Sequence, residues 1–309
     1  MSKKLFIKGT LLLTFAGLAS RLIGFFYRIF LSHTIGAEGL GIFQLVMPLQ
    51  ILALAFCASG IQTAISRLTA SREALGCPGR AGDYFISGTL FSVLFSLVLS
   101  FLFYYRADFW AVKILKEPRT ASLIRMMAPA VPLSTLHTCI NSYYFGRKKA
   151  GLPAGTQLLE QAFRVGGCYV IYLVCISEKR TVTPLMAAGG NLIGETAACI
   201  ASLFFISMHF KEIHYSFFQL QKPLVLLKEL FHISVPLSLN KILLTVLGSM
   251  EVILIPGRLQ MSGLNASDAL SIYGIFTGMA LPLILFPATL TNSVAVMLLP
   301  SVAELQTLG

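Results

Sequence analysis

The sequence contains few charged residues. Asp, Glu, Lys and Arg make up 12% of its 309 residues, whereas 56% are hydrophobic and the mean hydropathy is +0.77. A water-soluble domain has about 25% charged residues, which cover its surface. An ordinary soluble fold is therefore excluded, because most of the surface must face something other than water.

The signatures of enzymes and metal sites are also lacking. The six cysteines form no C-x-x-C pair or Cys/His cluster, and the five histidines are scattered along the chain. The sequence has no H-E-x-x-H, G-x-S-x-G or Walker-type motif. A membrane glycosyltransferase or polymerase would need acidic residues in a sizeable extramembrane loop, and the connections here are short. We therefore predict no enzyme activity, no cofactor and no metal site.

Acidic residues are scarce. The chain has 13 Asp and Glu against 24 Lys and Arg, and a net charge of +11. The basic residues are not gathered on one face or arm, as nucleic-acid binding would require. They lie mainly in short connections between apolar runs, where the orientation bias of membrane proteins places them. This pattern favours membrane lipid as the surroundings and disfavours nucleic acid as a partner.

Long apolar stretches dominate what the sequence does contain. A transmembrane helix takes roughly 20 apolar residues, and about eight such stretches are present. The chain is therefore predicted to be an all-α polytopic membrane protein. We place the spans at residues 9–35, 40–70, 84–105, 121–145, 153–176, 183–208, 230–256 and 269–305.

The basic residues also predict orientation and domain organisation. The bases that precede the first span and follow the second, fourth and sixth share one side if each stretch crosses once, so the amino terminus should be cytoplasmic. Residues 209–229 mix bases with Phe and Leu, which predicts an amphipathic linker on the cytoplasmic face. The span pairs on either side share a loose plan, as in transporters with internal repeats. We therefore predict a six-helix lobe at 1–208 and the first two helices of an incomplete carboxy-terminal lobe at 230–309.

Two arginines lie in the first span. Arg21 and Arg28 are seven residues apart and share one helix face. An arginine at the centre of a span costs about 2.5–3.5 kcal/mol on insertion scales, so it normally faces a bundle interior or a wet cavity. Guanidinium groups bind phosphate bidentately. The pair therefore predicts a cavity site for an anionic headgroup.

Other ionisable residues occur in the fifth, sixth and seventh spans. Glu160 and Arg164 form an i,i+4 pair, which we interpret as a structural ion pair. Glu195 follows Asn191 by about one turn, and Glu251 lies in the seventh span. These two glutamates, with Asn191, could provide counter-ions to the arginines or bind a coupling cation, and the residues alone leave both roles open.

Several segments resemble one known family. They are GAEGLGIFQLVMPLQ (36–50), SGIQTAISRLTA (59–70), NSYYFGRKKAGLPAGTQLLEQAFRV (141–165), AAGGNLIGETA (187–197) and SIYGIFTGMALPLILFPATLTNSVAVMLLPSVAE (271–304). In this order they resemble the polysaccharide-export and oligosaccharide flippase family of the MOP exporter superfamily. The resemblance is to the stage V sporulation protein B-like branch, which is related to the lipid II flippases and more distantly to multidrug exporters.

The resemblance implies a fold and a function. It implies two lobes arranged as a V around a central cavity, of which this chain contains the first and the start of the second. Arg21 and Arg28 correspond to cavity arginines of the lipid II flippases, and Glu251 replaces an aspartate of the seventh helix. The expected function is transport of an undecaprenyl-phosphate-linked saccharide across the bacterial cytoplasmic membrane by alternating access, in spore cortex or cell-wall synthesis, with wall-synthesis proteins as possible partners. The alternatives are a cation-coupled multidrug exporter and a non-transporting assembly partner.

Overall fold

A computed structural model describes residues 3–213, 223–285, 287, 288, 291, 292, 294–296, 298, 299, 302 and 306. Its regular structure in this part of the chain is entirely helical, as the sequence predicts. The helices are α1 (Lys3–Cys57), α2 (Ser59–Ala74), α3 (Pro78–Tyr105), α4 (Ala107–Phe109), α5 (Thr120–Met127), α6 (Ala130–Gly146), α7 (Gly151–Ser177), α8 (Leu185–Glu212), α9 (Pro223–Met261), α10 (Ala266–Ile275) and α11 (Leu281–Ile284), with π-helical turns at Trp110–Ile114 and Phe276–Ala280.

Six of the described helices are long and apolar enough to cross a membrane. They include residues of α1, α3, α7, α8, α9, and α10 with its continuation to Ile284. This number agrees with the predicted spans, because α1 contains the first span and part of the second, and the fourth is divided between the shorter α5 and α6. Large apolar side chains are exposed along α3, including Leu90, Leu94, Val98 and Phe101. Such a surface suits lipid, and the protein crosses the membrane several times.

The first two predicted spans are joined within α1 at Gly36. This residue has φ +75° and ψ 170°, outside the helical region, so α1 consists of two helices. A positive φ is accessible to glycine because it has no Cβ. Leu13 and Leu54, which lie on either side of Gly36, line the same cavity. The chain therefore reverses direction at Gly36.

Proline divides the fourth predicted span. Pro132 has no N–H to donate to the carbonyl of Ala128, four residues earlier, and α5 ends at Met127 just before this position. That carbonyl oxygen accepts instead from the backbone N–H of Val131 at 3.1 Å and from the hydroxyl of Ser100 on α3 at 2.7 Å. A carbonyl that loses its α-helical partner inside a membrane needs other donors. The break therefore lies where a neighbouring helix supplies a donor.

Helices α7 and α8 pack closely through glycine. A Cβ added to Gly190 would lie 2.8 Å from the carbonyl oxygen of Arg164, and one added to Gly194 would lie 2.8 Å from that of Glu160. Small residues permit this backbone approach between membrane helices. The ionisable residues of α7 are thereby held directly against α8.

The first part of α1 lies parallel to α7. Leu12 is 3.9 Å from the position a Cβ of Gly151 would occupy, and the Phe30 ring lies 5.4 Å from that of Tyr172, centroid to centroid. The two helices therefore run in the same direction. Along them, Arg164 on α7 lies at a depth between those of Arg21 and Arg28 on α1.

Helix α9 is anchored to the first helices of the chain. Glu229 accepts hydrogen bonds from Tyr84 on α3 and from Arg72 on α2, the latter at 3.4 Å. The middle of the predicted amphipathic linker at 209–229, residues 214–222, lies outside the described residues. The division at 1–208, 209–229 and 230–309 stays a prediction.

Candidate functional site

Arg21 lies on the first part of α1, before the reversal at Gly36. Its guanidinium donates to the backbone carbonyl of Leu285, just after α11. The Arg21 side chain is half-buried. Arg21 therefore links α1 to the backbone just after α11.

Arg28 lies two turns further along the same helix face. It is half-buried, and its positive charge is close enough to that of Arg164 for the two to repel each other. Within the described residues Arg28 has neither a hydrogen-bond acceptor nor a carboxylate partner. A positive charge without an anion of its own is unfavourable where the dielectric constant is low. This arrangement suits an anionic ligand.

The predicted pair Glu160–Arg164 is in contact, and a third residue joins it. Arg164 forms an ion pair with Glu160, and its Nη2 lies 3.8 Å from Oε1 of Glu195 on α8. The three side chains are 20%, 15% and 11% exposed for Arg164, Glu160 and Glu195. One cation thus lies between two carboxylates inside the helix bundle.

Asn191 holds α8 to the second part of α1. Its side-chain amide donates to Oε1 of Gln50 at 3.1 Å, and both residues are buried. The side-chain N–H of Asn191 is therefore used in a hydrogen bond between two helices, one turn from Glu195.

A buried histidine completes the polar cluster. The amide of Asn141 lies 2.7 Å from Nε2 of His137, and Thr156 Oγ1 lies 3.3 Å from the same nitrogen. Since an amide N–H donates, Nε2 accepts and the ring proton belongs on Nδ1. Ligand atoms of His137, Glu160 and Glu195 all lie within 4.8 Å of one another. The three residues border a cavity of about 630 Å³.

Glu251 lies apart from these groups. It is exposed on α9, and it makes no ion pair with any described residue. The structure therefore brings together Glu160, Arg164 and Glu195, with Arg28 beside them, but it does not bring Glu251 to the arginines.

Sequence reasoning missed His137 and its neighbours. His137 and Asn141 are four residues apart in the fourth span, as are Thr156 and Glu160 in the fifth. This spacing places each pair on one helix face, and it is the only feature of the sequence that could have indicated a polar cluster. That the two faces meet at Glu195 depends on how α6, α7 and α8 pack.

Comparison with known proteins identifies the family. The family model "Polysaccharide biosynthesis protein" matches residues 6–306. Over 98% of this chain the sequence is 27% identical to stage V sporulation protein B of Bacillus subtilis (strain 168), covering 59% of it. It is 20% identical over 97% of the chain to sporulation protein YkvU of the same organism, covering 65% of it. The lipid II flippase MurJ of that organism is 25% identical over 53% of this chain and 32% of its own length. The chain thus spans about three fifths of the length of the first two of these relatives.

Solved structures show the same fold. A chain called "protein A" has a TM-score of 0.78 at 13% identity, over 98% of this chain and 66% of that one. The MATE multidrug transporter DinF-BH, solved in complex with a ligand, has a TM-score of 0.69 at 12% identity, over 95% and 64%. At these identities the similarity shows the fold alone. The chain belongs to the polysaccharide biosynthesis protein family and has a MATE-like fold.

Proposed function

We propose that this chain is a flippase that moves a lipid-linked oligosaccharide or peptidoglycan precursor across the bacterial cytoplasmic membrane by alternating access. Its family membership and its similarity to a lipid II flippase support the substrate class. The observation that carries the proposal is Arg28, a half-buried charge that shares one face of an apolar helix with Arg21 and has no anionic partner among the described residues.

The headgroup binds by its phosphate. Arg21 and Arg28 lie on one face of α1, two turns or about 10 Å apart, a span that a pyrophosphate with its first sugar can bridge. Each guanidinium donates two parallel hydrogen bonds to phosphate oxygens. The polyprenyl tail, of undecaprenyl type, stays in the bilayer against the exposed apolar helix surface.

The finer assignments are part of the same proposal. The names of the two sporulation relatives support a role in spore cortex or cell-wall synthesis, with wall-synthesis proteins as partners. The basic connections support a cytoplasmic amino terminus. Glu251 is proposed to meet the cavity arginines or a coupling cation in another state of the transport cycle, because in this one it is exposed and without an ion pair to described residues.

Translocation in vesicles tests the proposal. The purified chain would be reconstituted with a fluorescent undecaprenyl-pyrophosphate saccharide, and the fraction reaching the outer leaflet measured over time. We expect the Arg21→Ala/Arg28→Ala variant to lose at least nine tenths of the initial rate. Arg180→Ala is the control, because Arg180 pairs with Glu178 on the exposed end of α7. An unchanged rate in the double variant would rule out the cavity role of the two arginines.

Two rivals predict different results. A cation-coupled multidrug exporter, suggested by the MATE-like fold, would export a cationic dye and keep that activity without the arginines. A non-transporting assembly partner would move neither the dye nor the lipid. Either result would contradict the flippase proposal.

A further inference from the structure

A second cavity lies at the end of the helix bundle that includes Gly36. It has a volume of about 220 Å³ and is bordered by the connection between α3 and α5, by the last turns of α9, and by one residue each of α1 and α10. Glu117 of the connection borders it and is bonded to Arg119. Arg119 in turn pairs with Glu38, two residues after Gly36. This cavity has no bordering residue in common with the larger one, and neither arginine of α1 borders it.

Most of the wall of this cavity is apolar. It includes Leu45 of α1, Leu115 of the connection, Ile253 and Leu254 of α9, and Leu270 of α10. The side chains of α1, α10 and the connection are buried, whereas Leu254 is 57% exposed. Helix α9 is long and apolar enough to span a membrane, so this exposed side suits lipid. A ligand with an apolar part can therefore enter the cavity from the bilayer.

Two basic side chains border the same cavity. Lys116 belongs to the connection between α3 and α5, and Arg258 belongs to the last turn of α9. Both residues are exposed, and neither forms an ion pair with a described carboxylate. Nη1 of Arg258 lies 3.8 Å from Sδ of Met261, which is a weak acceptor. Two cations without counter-ions are thus present next to an apolar wall.

The carboxylate at this cavity is already bound. Among the described bordering residues it is Glu117, whose Oε1 lies 2.8 Å from Nε of Arg119 and whose Oε2 lies 3.1 Å from Nη2. Together with Glu38, this ion-pair cluster has one net negative charge, whereas Lys116 and Arg258 add two positive charges. One positive charge is left over, which suits a ligand with a single negative charge.

We propose that this cavity binds one anionic phospholipid, with its phosphodiester between Lys116 and Arg258. A guanidinium donates paired hydrogen bonds to phosphate oxygens, and an ammonium group binds phosphate as a compact charge. The acyl chains continue along α9 over Leu247, Met250 and Leu254, which are 59%, 53% and 57% exposed. Their spacing of three and four residues places them on one helix face. The lipid therefore connects the connection between α3 and α5 to α9.

Binding of phosphatidylglycerol to the purified chain tests the site, with native mass spectrometry as the measurement. Dioleoylglycerol, which has the same acyl chains and no phosphate, is the reference lipid. We expect Lys116→Gly and Arg258→Gln each to weaken binding of dioleoyl phosphatidylglycerol by about tenfold, because each removes hydrogen bonds to a charged group. Binding of the reference lipid should not change. Unchanged affinity of both variants for phosphatidylglycerol would overturn the proposal.

The lysine variant has a matched control. Lys116 has φ +55° and Lys179, at the exposed end of α7, has φ +54°. Glycine adopts such a φ without strain, so neither Lys116→Gly nor Lys179→Gly should disturb the backbone. Lys179→Gly should keep the affinity for phosphatidylglycerol. Equal losses in the two variants would show attraction by diffuse positive charge and would reject a site at the cavity.

Amine labelling of the unsubstituted chain needs no variant. Phosphatidylglycerol should slow the acylation of Lys116 severalfold relative to Lys179, and dioleoylglycerol should not. Equal labelling rates in both lipids would contradict the site.

The site is independent of the proposed flippase function. Arg21→Ala/Arg28→Ala should keep the protection of Lys116 by phosphatidylglycerol, so a loss of translocation with protection intact rejects the flippase function alone. Protection of Lys116 by undecaprenyl pyrophosphate and not by phosphatidylglycerol would reject the phospholipid as the occupant.

Discussion

Two regions of the molecule contain an arginine between two glutamates. In the membrane, Arg164 lies between Glu160 and Glu195, with side chains at most 20% exposed. At the end of the bundle that includes Gly36, Arg119 lies between Glu117 and Glu38, and its side chain is 53% exposed. The composition is the same, and the surroundings differ.

The exposed cluster is complete and the buried one is not. Arg119 binds Glu117 through Nε at 2.8 Å and Nη2 at 3.1 Å, and its Nη1 binds Glu38 at 2.8 Å. Its hydrogen bond to Glu117, and after it the one to Glu38, raises the pKa of Arg119. Arg164 binds Glu160 and lies 3.8 Å from Glu195, and its Nε has no hydrogen-bond partner among the described residues. The buried arginine therefore holds its second glutamate less closely than the exposed one does.

Removing the central arginine should destabilise the buried cluster far more than the exposed one. We expect Arg164→Gln to lower the free energy of unfolding by about 3–5 kcal/mol, because two carboxylates are left buried without a cation. Arg119→Gln should cost about 0–1 kcal/mol, since water solvates the glutamates of an exposed pair. Denaturant unfolding of both variants in the same detergent measures the difference. Equal losses would show that the buried cluster is solvated as well as the exposed one.

Glycine on α8 lets the buried cluster form, because it allows α8 to approach α7 closely. A Cβ at Gly194 would lie 2.8 Å from the carbonyl oxygen of Glu160 and 3.0 Å from Cβ of Arg164. We expect Gly194→Ala to separate α7 from α8 and to cost about 1–3 kcal/mol, as overpacking does. Gly166→Ala on α7 is the matched control, because nothing lies within 4 Å of its added Cβ. Thermal unfolding of the two variants should differ, and the same melting temperature for both would argue against the tight α7–α8 contact.

The smallest effect is expected at the exposed cluster. Glu38→Gln removes one of the two partners of Arg119 and should cost less than about 1 kcal/mol at low ionic strength. At 1 M salt the Debye length is about 3 Å, so the cost should approach zero. Unfolding of the variant at the two salt concentrations checks this. A cost that persists at high salt would mean that Glu38 stabilises the fold through packing instead of charge.

Much of the helical framework could be predicted from the sequence. Apolar stretches of sufficient length predict the spans, and a glycine between two of them at residue 36 predicts a turn. Arg21 and Arg28 could be predicted as unusual because a charge within an apolar run needs an explanation. The i,i+4 spacing predicts the contact of Glu160 with Arg164, since helical geometry alone determines it.

The meeting of His137, Glu160 and Glu195 could not be predicted in this way. The three residues belong to three helices, and their convergence depends on the glycines that let α8 approach α7 and on the packing of α6. The helix breaks at Ala58 and before Pro132 could not be predicted from the length of the apolar stretches either. A span divided by a kink has the same hydropathy as a continuous one.

The arginine site of α1 is tested most directly by binding of undecaprenyl pyrophosphate to the purified chain, measured by native mass spectrometry. Undecaprenol, which has the same tail and no charge, is the reference lipid. Hydrogen bonds to charged groups contribute about 1.5–3 kcal/mol each, so Arg21→Gln/Arg28→Gln should weaken binding of the pyrophosphate by at least about tenfold. Binding of undecaprenol should stay the same. Equal affinity of the variant and the unsubstituted chain for the pyrophosphate would contradict the claim that α1 presents a site for an anionic headgroup.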